Sequence, residues 1–252
     1  MNKIEIIIND KPYLVTKGTL LIEACCDNQI YIPSLCYMPG AGTFAGCRLC
    51  VVEIRKKDSY KLVASCEYPI NKSETFYTDS EKVKNSRRIS AELLLARVAS
   101  AKELLENIIQ QPLKRIFEQI PSENKECLLC GLCYRACQKF GPAALNTCGR
   151  GSYKTVATPY NEANPDCIVC GICESICPTQ AIKINKDENS ISIWHQRSDL
   201  ITCPACGKKH ITEKTYLFLT QELGLPADEM QLCEDCRKTK LSSEIQNCFM
   251  KR

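Results

Sequence analysis

Two hydrophobic periods run along this chain. Residues 3–8 (Lys-Ile-Glu-Ile-Ile-Ile) are rich in β-branched residues and predict a strand. Asn9-Asp10 predicts a turn, and residues 12–16 a returning strand. A short helix is expected over residues 20–27, capped by Thr19, with Cys25 and Cys26 as packed thiols. Residues 51–54 (Val-Val-Glu-Ile) predict another strand. A turn near Lys57-Asp58-Ser59 follows, and residues 62–64 lead into Cys66. From Glu81 to Gln111 the spacing becomes helical. Leu93, Leu94, Val98, Leu104, Leu105, Ile108 and Ile109 form an apolar stripe, which predicts one or two connecting helices limited by Pro112. Residues 181–184 and 191–195 predict a hairpin around Asp187-Glu188-Asn189. Trp194 is read as packing there, and His195 as an ordinary polar residue.

The chemistry is concentrated in cysteine. Cys127-x2-Cys130-x2-Cys133-x3-Cys137 and Cys167-x2-Cys170-x2-Cys173-x3-Cys177-Pro178 repeat one pattern. In the bacterial C-x2-C-x2-C-x3-C-P run, the fourth cysteine ligates the other cluster. One [4Fe–4S] site is therefore expected at Cys127, Cys130, Cys133 and Cys177. The second is expected at Cys137, Cys167, Cys170 and Cys173. Three thiols on a tight loop wrap one cluster, and Gly131 and Gly171 supply the backbone freedom. Pro178 can end the segment that leads to the other cluster. Zinc sites or a disulfide framework are the competing readings, and disulfides would suit a small secreted chain.

A different spacing precedes these runs: Cys36-x10-Cys47-x2-Cys50-x15-Cys66, with Gly40, Gly42 and Gly46 in the first interval. Plant-type [2Fe–2S] sites read C-x4-C-x2-C…C. The middle pair and the distant fourth cysteine agree with that pattern, and the first gap does not. A [2Fe–2S] centre on Cys36, Cys47, Cys50 and Cys66 is expected, with zinc as the competitor. The tail carries Cys203-x2-Cys206 and Cys233-x2-Cys236, separated by 26 residues. Two such pairs read as a four-cysteine zinc site, with a further iron–sulfur cluster as the rival. The interval should hold a helix capped by Thr212, stapled by Ile211 and Tyr216, and ended by Gly224 and Pro226. Cys148 and Cys248 are read as thiols outside the ligand sets.

Composition narrows the picture. The chain has 252 residues and 20 cysteines, with a formal charge of +4 that counts every thiol as neutral. Ligand thiolates would make the loaded protein acidic, so the formal charge is no argument for nucleic-acid binding. No apolar run approaches a membrane span and no signal peptide is evident, so a soluble cytoplasmic protein without direct membrane insertion is expected. No G-x-G-x-x-G follows a strand, there is no P-loop, and no nucleophile–base arrangement stands out.

Ile32-Pro33-Ser34-Leu35-Cys36-Tyr37 and Gly46-Cys47-Arg48-Leu49-Cys50-Val51-Val52-Glu53 resemble the N-terminal iron–sulfur module of the complex I large subunit. They also resemble the diaphorase iron–sulfur subunit of NAD-linked hydrogenases and the N-terminal region of iron-only hydrogenases. Gly149-Arg150-Gly151, Ala157-Thr158-Pro159 and the Cys167–Pro178 run fit the same group, so the resemblance covers about residues 1–198. Members commonly carry a His-plus-three-Cys [4Fe–4S] site between the two regions. Leu93-Leu94-Leu95-Ala96-Arg97 matches its approach, but no ligand follows before Cys127, so that centre is expected to be absent. The tail pairs resemble the zinc-ribbon ends of some hydrogenase-linked ferredoxin subunits. No catalytic domain is expected.

The expected fold class is α+β. A β-grasp [2Fe–2S] domain would span residues 1–79 and a helical connector 80–121. A dicluster [4Fe–4S] domain would span 122–198, and a zinc-ribbon-like tail 199–252. The resemblance implies an electron-transfer subunit of a cytoplasmic multi-subunit oxidoreductase, without a substrate site of its own. Its implied partners are a flavin- and NAD(P)-binding subunit and a further redox subunit of hydrogenase, formate dehydrogenase or transhydrogenase type. A free soluble polyferredoxin and a redox-sensing regulator are the alternatives.

Overall fold

The computed structural model describes residues 3–56, 59–121 and 124–250, with the side chains of 244 and 247–250 excluded. Lys57-Asp58 of the expected turn and the Cys248 thiol lie outside the described residues. The chain forms two compact units. The first runs to Leu132 and includes Cys148–Thr155; the second comprises Cys133–Thr147 and the chain from Val156 onward.

In the first unit, β1 (Lys3–Ile8) and β2 (Lys11–Thr16) form an antiparallel hairpin in which Ile4 faces Val15. Asn9 and Asp10 both have positive φ, as a tight hairpin turn requires. Alternation holds along β1: Ile6 and Ile8 are buried, while Ile7 faces out. Helix α1 (Leu21–Asp27) packs Leu21, Ile22, Ala24 and Cys25 into the same core. Its N-cap is Leu20, without a side-chain cap, so the expected Thr19 cap is not formed. The backbone of Thr19 instead pairs with Ile70, whose N–H donates to its carbonyl. Cys25 is a packed thiol as expected, but Cys26 is exposed.

β3 (Val51–Lys56), β4 (Ser59–Ala64) and β5 (Thr75–Tyr77) complete a five-stranded sheet in the order β2-β1-β5-β3-β4. β5, which the hydrophobic pattern does not predict, runs parallel to β1 and antiparallel to β3. The first four residues of β3 are buried on both faces. One face meets the α1 core; the other meets α2 (Glu81–Arg97). Ser80 caps α2 by accepting from the Val83 amide, and its hydroxyl donates to the buried Glu53 carboxylate.

The connecting helices α2 and α3 (Lys102–Ile109) belong to this unit. Their inward positions are Ala91, Leu95, Leu105 and Ile109, which pack with Val98 between the helices, Leu35, Leu49 and the Cys36 and Cys47 loop. Leu93 of the expected stripe points outward and is 48% exposed.

The second unit contains α4 (Leu132–Phe140) from Cys133 onward. Two short strands lie in the stretch between the cysteine runs, β6 (Asn146–Cys148) and β7 (Thr155–Ala157). Next come α5 (Ile172–Ser175), β8 (Asn185–Lys186), β9 (Ser190–Ile193), β10 (Gln196–Thr202) and β11 (Lys209–Thr212). The last four strands form an antiparallel sheet in the order β11-β10-β9-β8. The first expected strand, at 181–184, is displaced to Asn185–Lys186. Trp194 and His195 do not end the hairpin; they form the tight turn into β10, both with positive φ. The expected division at 198/199 falls inside β10, which joins β9 to β11.

The described chain ends with α6 (Glu213–Leu217), continued by a π-helical turn over Phe218–Glu222, then α7 (Ala227–Gln231) and α8 (Glu234–Met250). Thr212 caps α6 by accepting from Thr215 N–H, as expected. Gly224 adopts a left-handed φ of 65° after the helical stretch, where glycine carries no Cβ penalty.

Candidate metal centres

In the first unit Cys36, Cys47, Cys50 and Cys66 are all buried. They stand as two pairs. Cys36 Sγ lies 3.3 Å from Cys47 Sγ, and Cys50 is hydrogen-bonded to Cys66. The shared hydrogen bond with Cys36 pulls the Cys47 thiol down to about 6, while the Cys36 thiol is pushed up. In the same way Cys66 lowers Cys50 to about 7 and is itself raised. The backbones of Leu35, Cys36 and Leu49 add hydrogen bonds at Cys47. Gly40 and Gly42 take positive φ in this loop, whereas a Cβ at Gly46 would run into the Phe44 ring. Arg87, buried on α2, donates through Nε and Nη2 to the Val51 carbonyl at 3.2 and 2.7 Å. Burial lowers its guanidinium to about 10, so it stays charged at neutral pH near Cys50.

The paired runs share a backbone device that cysteine spacing does not predict. Leu129 and Val169, each between the first two cysteines of its run, have φ of 53° and 56°. For a bulky or β-branched residue this conformation is rare. It turns the Leu129 N–H onto Cys127 Sγ at 3.4 Å, and Val169 makes the matching bond to Cys167. Gly131 and Gly171 follow, both at φ 76°, as expected of them. Within the first unit, Arg97 anchors the Cys127 loop: its Nε donates to the Cys127 carbonyl at 3.0 Å and its Nη2 to the Lys154 carbonyl at 2.8 Å.

In the second unit Cys137, Cys167, Cys170 and Cys173 line one cavity, together with Pro142, Ile172 and Trp194. Cys137 comes from the first run and the other three from the second. The Trp194 indole N–H donates to Cys173 Sγ at 3.4 Å. Burial pushes the Cys173 thiol up to about 11, and this hydrogen bond acts against the rise. Of the other expected set, Cys127 and Cys130 belong to the first unit, and Cys133 and Cys177 to the second. Cys177 Sγ accepts from the Ala181 amide at 3.3 Å. Cys148 is exposed.

The four tail thiols converge. The Sγ atoms of Cys203, Cys206, Cys233 and Cys236 all lie within 4.8 Å of one another. Cys203 ends at the β10–β11 turn, which is closed by Cys203 N–H to Lys208 O and Gly207 N–H to Cys203 O. Cys233 precedes α8 and Cys236 lies in its first turn; there Arg237 N–H donates to the Cys233 carbonyl, as Gly207 N–H does to that of Cys203.

Residues 1–79 match the 2Fe-2S iron-sulfur cluster binding domain family, and residues 164–183 match the 4Fe-4S binding domain family. These two segments carry a 2Fe-2S and a 4Fe-4S binding domain. Over 92 residues, 36% of this chain, it is 36% identical to an NADH-quinone oxidoreductase subunit of Rickettsia prowazekii. Over 206 residues, 71% of this chain, it is 23% identical to the mitochondrial NADH-ubiquinone oxidoreductase 78 kDa subunit of Candida albicans. The chain spans 13% and 28% of the lengths of those relatives. A crystal structure of NAD+-reducing [NiFe]-hydrogenase aligns over 62% of this chain and 74% of the matched one, with a TM-score of 0.53 and 26% identity. These are the groups that the Cys36 and Cys47–Glu53 motifs resemble.

Among the described residues, no helix is long and apolar enough to cross a membrane.

Proposed function

We propose that this chain is an electron-transfer subunit of a multi-subunit oxidoreductase, and that it holds three iron–sulfur centres and one structural metal. In this reading Cys36, Cys47, Cys50 and Cys66 would hold a [2Fe–2S] centre. One [4Fe–4S] centre takes Cys127, Cys130, Cys133 and Cys177; the second takes Cys137, Cys167, Cys170 and Cys173. The observation that carries it is the cavity lined by Cys137 with the Cys167, Cys170 and Cys173 loop. Crossed ligation demands this grouping, because the fourth thiol must come from the other run. The donor chemistry also fits: thiols meet backbone N–H groups, and such contacts stabilise thiolate and tune potential.

Bound clusters supply one-electron chemistry. The protein's own residues exclude water, hold the sulfurs and aim N–H dipoles at them. The similarity to subunits of NADH-quinone oxidoreductase and to an NAD+-reducing hydrogenase supports a partner that binds flavin and NAD(P), and a further redox partner beyond it. Its place would be the cytoplasm.

The tail suits a mononuclear ion. With Zn–S near 2.3 Å, a tetrahedral site spaces its sulfurs about 3.8 Å apart. The tail thiols stand within 4.8 Å of one another, and Cys206 Sγ lies 3.6 Å from Cys233 Sγ. A four-iron cluster holds its thiolates at separate corners, farther apart. Zinc is the ion proposed.

Anaerobically prepared protein should contain iron and acid-labile sulfide for one two-iron and two four-iron centres, plus one zinc. Dithionite reduction should yield the spin-resonance signals of both cluster types. Little sulfide, or zinc in place of iron in the paired runs, would overturn the reading.

A further inference from the structure

Trp194 is the only tryptophan in the chain, and it occupies an expensive position. It is the first residue of the two-residue turn between β9 and β10, with φ of 52°, followed by His195 at 62°. Such turns favour Asn, Asp or Gly, because a bulky L-residue at positive φ brings its Cβ against the backbone. Strain of this kind persists where surrounding structure over-determines it, and it often accompanies function. Here the strained backbone coincides with a specific contact. The indole lines the cavity of Cys137, Cys167, Cys170 and Cys173, and its N–H donates to Cys173 Sγ at 3.4 Å. Indole is a donor only, so this bond cannot reverse its sense.

From the coincidence of a strained turn with an indole N–H on a ligand-set sulfur, we infer that Trp194 raises the reduction potential of the second [4Fe–4S] centre. The inference rests on the ligand assignment proposed above. When that centre accepts one electron from a low-potential donor, charge on its thiolates increases. A hydrogen bond donated to Cys173 Sγ therefore favours the reduced form. The ring also keeps solvent from that side of the cavity, and removing the whole ring would alter both effects. Trp194→Phe separates them: an aromatic ring remains and the N–H is lost.

The experiment is a redox titration of the full-length, cluster-loaded protein, monitored by spin resonance, for wild type and Trp194→Phe. At a fixed potential near the midpoint, the reduced-to-oxidised ratio of one [4Fe–4S] centre should fall about tenfold in the variant. That corresponds to about 59 mV for one electron. The [2Fe–2S] centre should not move. Unchanged potentials at full iron and sulfide content would overturn the inference while leaving the ligand assignment intact. If wild type itself lacks the iron and sulfide of two four-iron centres, the ligand assignment fails instead.

Should Trp194→Phe not assemble, the wild-type protein still decides the matter. Indole-15N tryptophan labels a single site. Its nitrogen and exchangeable proton should couple magnetically to one reduced [4Fe–4S] centre. Absence of that coupling in fully loaded, reduced protein would overturn the inference.

Discussion

The Thr212 hydroxyl donates to the carbonyl of Ile168 at 3.0 Å, tying the end of β11 to the loop between Cys167 and Cys170. Thr215 reinforces it, its hydroxyl 2.9 Å from the same oxygen. The tail and the loop over residues 167–173 are thus braced through two side chains. Thr212→Val with Thr215→Val should cost about 1–3 kcal/mol, from lost hydrogen bonds and a lost helix cap. It should also speed cluster loss in air. Denaturant midpoints and the decay of visible absorbance measure the two effects.

Arg87 couples the connecting helix to the first cysteine set. Arg87→Met removes two hydrogen bonds to the Val51 carbonyl and a buried positive charge near Cys50. The expected loss is about 1.5–3 kcal/mol in stability, the range for hydrogen bonds to charged groups. The potential of the [2Fe–2S] centre should also fall, because a nearby cation favours the added electron. Thermal melts and a redox titration check both.

Cys25 and Cys26 are neighbours with opposite reactivity. Burial pushes the Cys25 thiol up to about 12, whereas Cys26 is exposed. A raised value keeps Cys25 protonated, and the protonated thiol is a poor nucleophile. Iodoacetamide at a pH of about 8, near the ordinary thiol value, should label Cys26 and the exposed Cys148, but not Cys25. Raising the pH to about 9, still well below the Cys25 value, should not change that pattern. Peptide mass spectrometry reads the result.

The tail ion should be separable from the clusters. Cys236→Ser should lower zinc content while leaving iron and sulfide near wild type. Metal binding needs deprotonated thiols, so chelator should strip zinc faster as pH falls. Metal analysis before and after chelation at two pH values tests this.

Much of the local structure followed from the sequence because it depends on local rules. Alternation placed β1 and β2, and the run Val51-Val52-Glu53-Ile54 marked β3. Thr212 was legible as a cap because a threonine before an acidic turn satisfies orphan amides. β5 escaped because Thr75–Tyr77 is too short to show a period; it exists through pairing with β1 and β3. Leu93 looked like core because the apolar stripe does not reveal which flank of it meets a neighbour. Thr19 looked like a cap, but its backbone was committed to Ile70.

Cysteine spacing by itself determined the ligand groupings that are proposed, since a covalent reach of two or three residues is a local constraint. Only the tertiary structure decided what surrounds the sulfurs. The Trp194-His195 turn, the left-handed Leu129 and Val169, and the Thr212 brace to Ile168 all depend on residues distant in sequence or on backbone conformations costly in isolation. No periodicity or propensity encodes them, because the contacts that compensate their cost appear once the chain has folded.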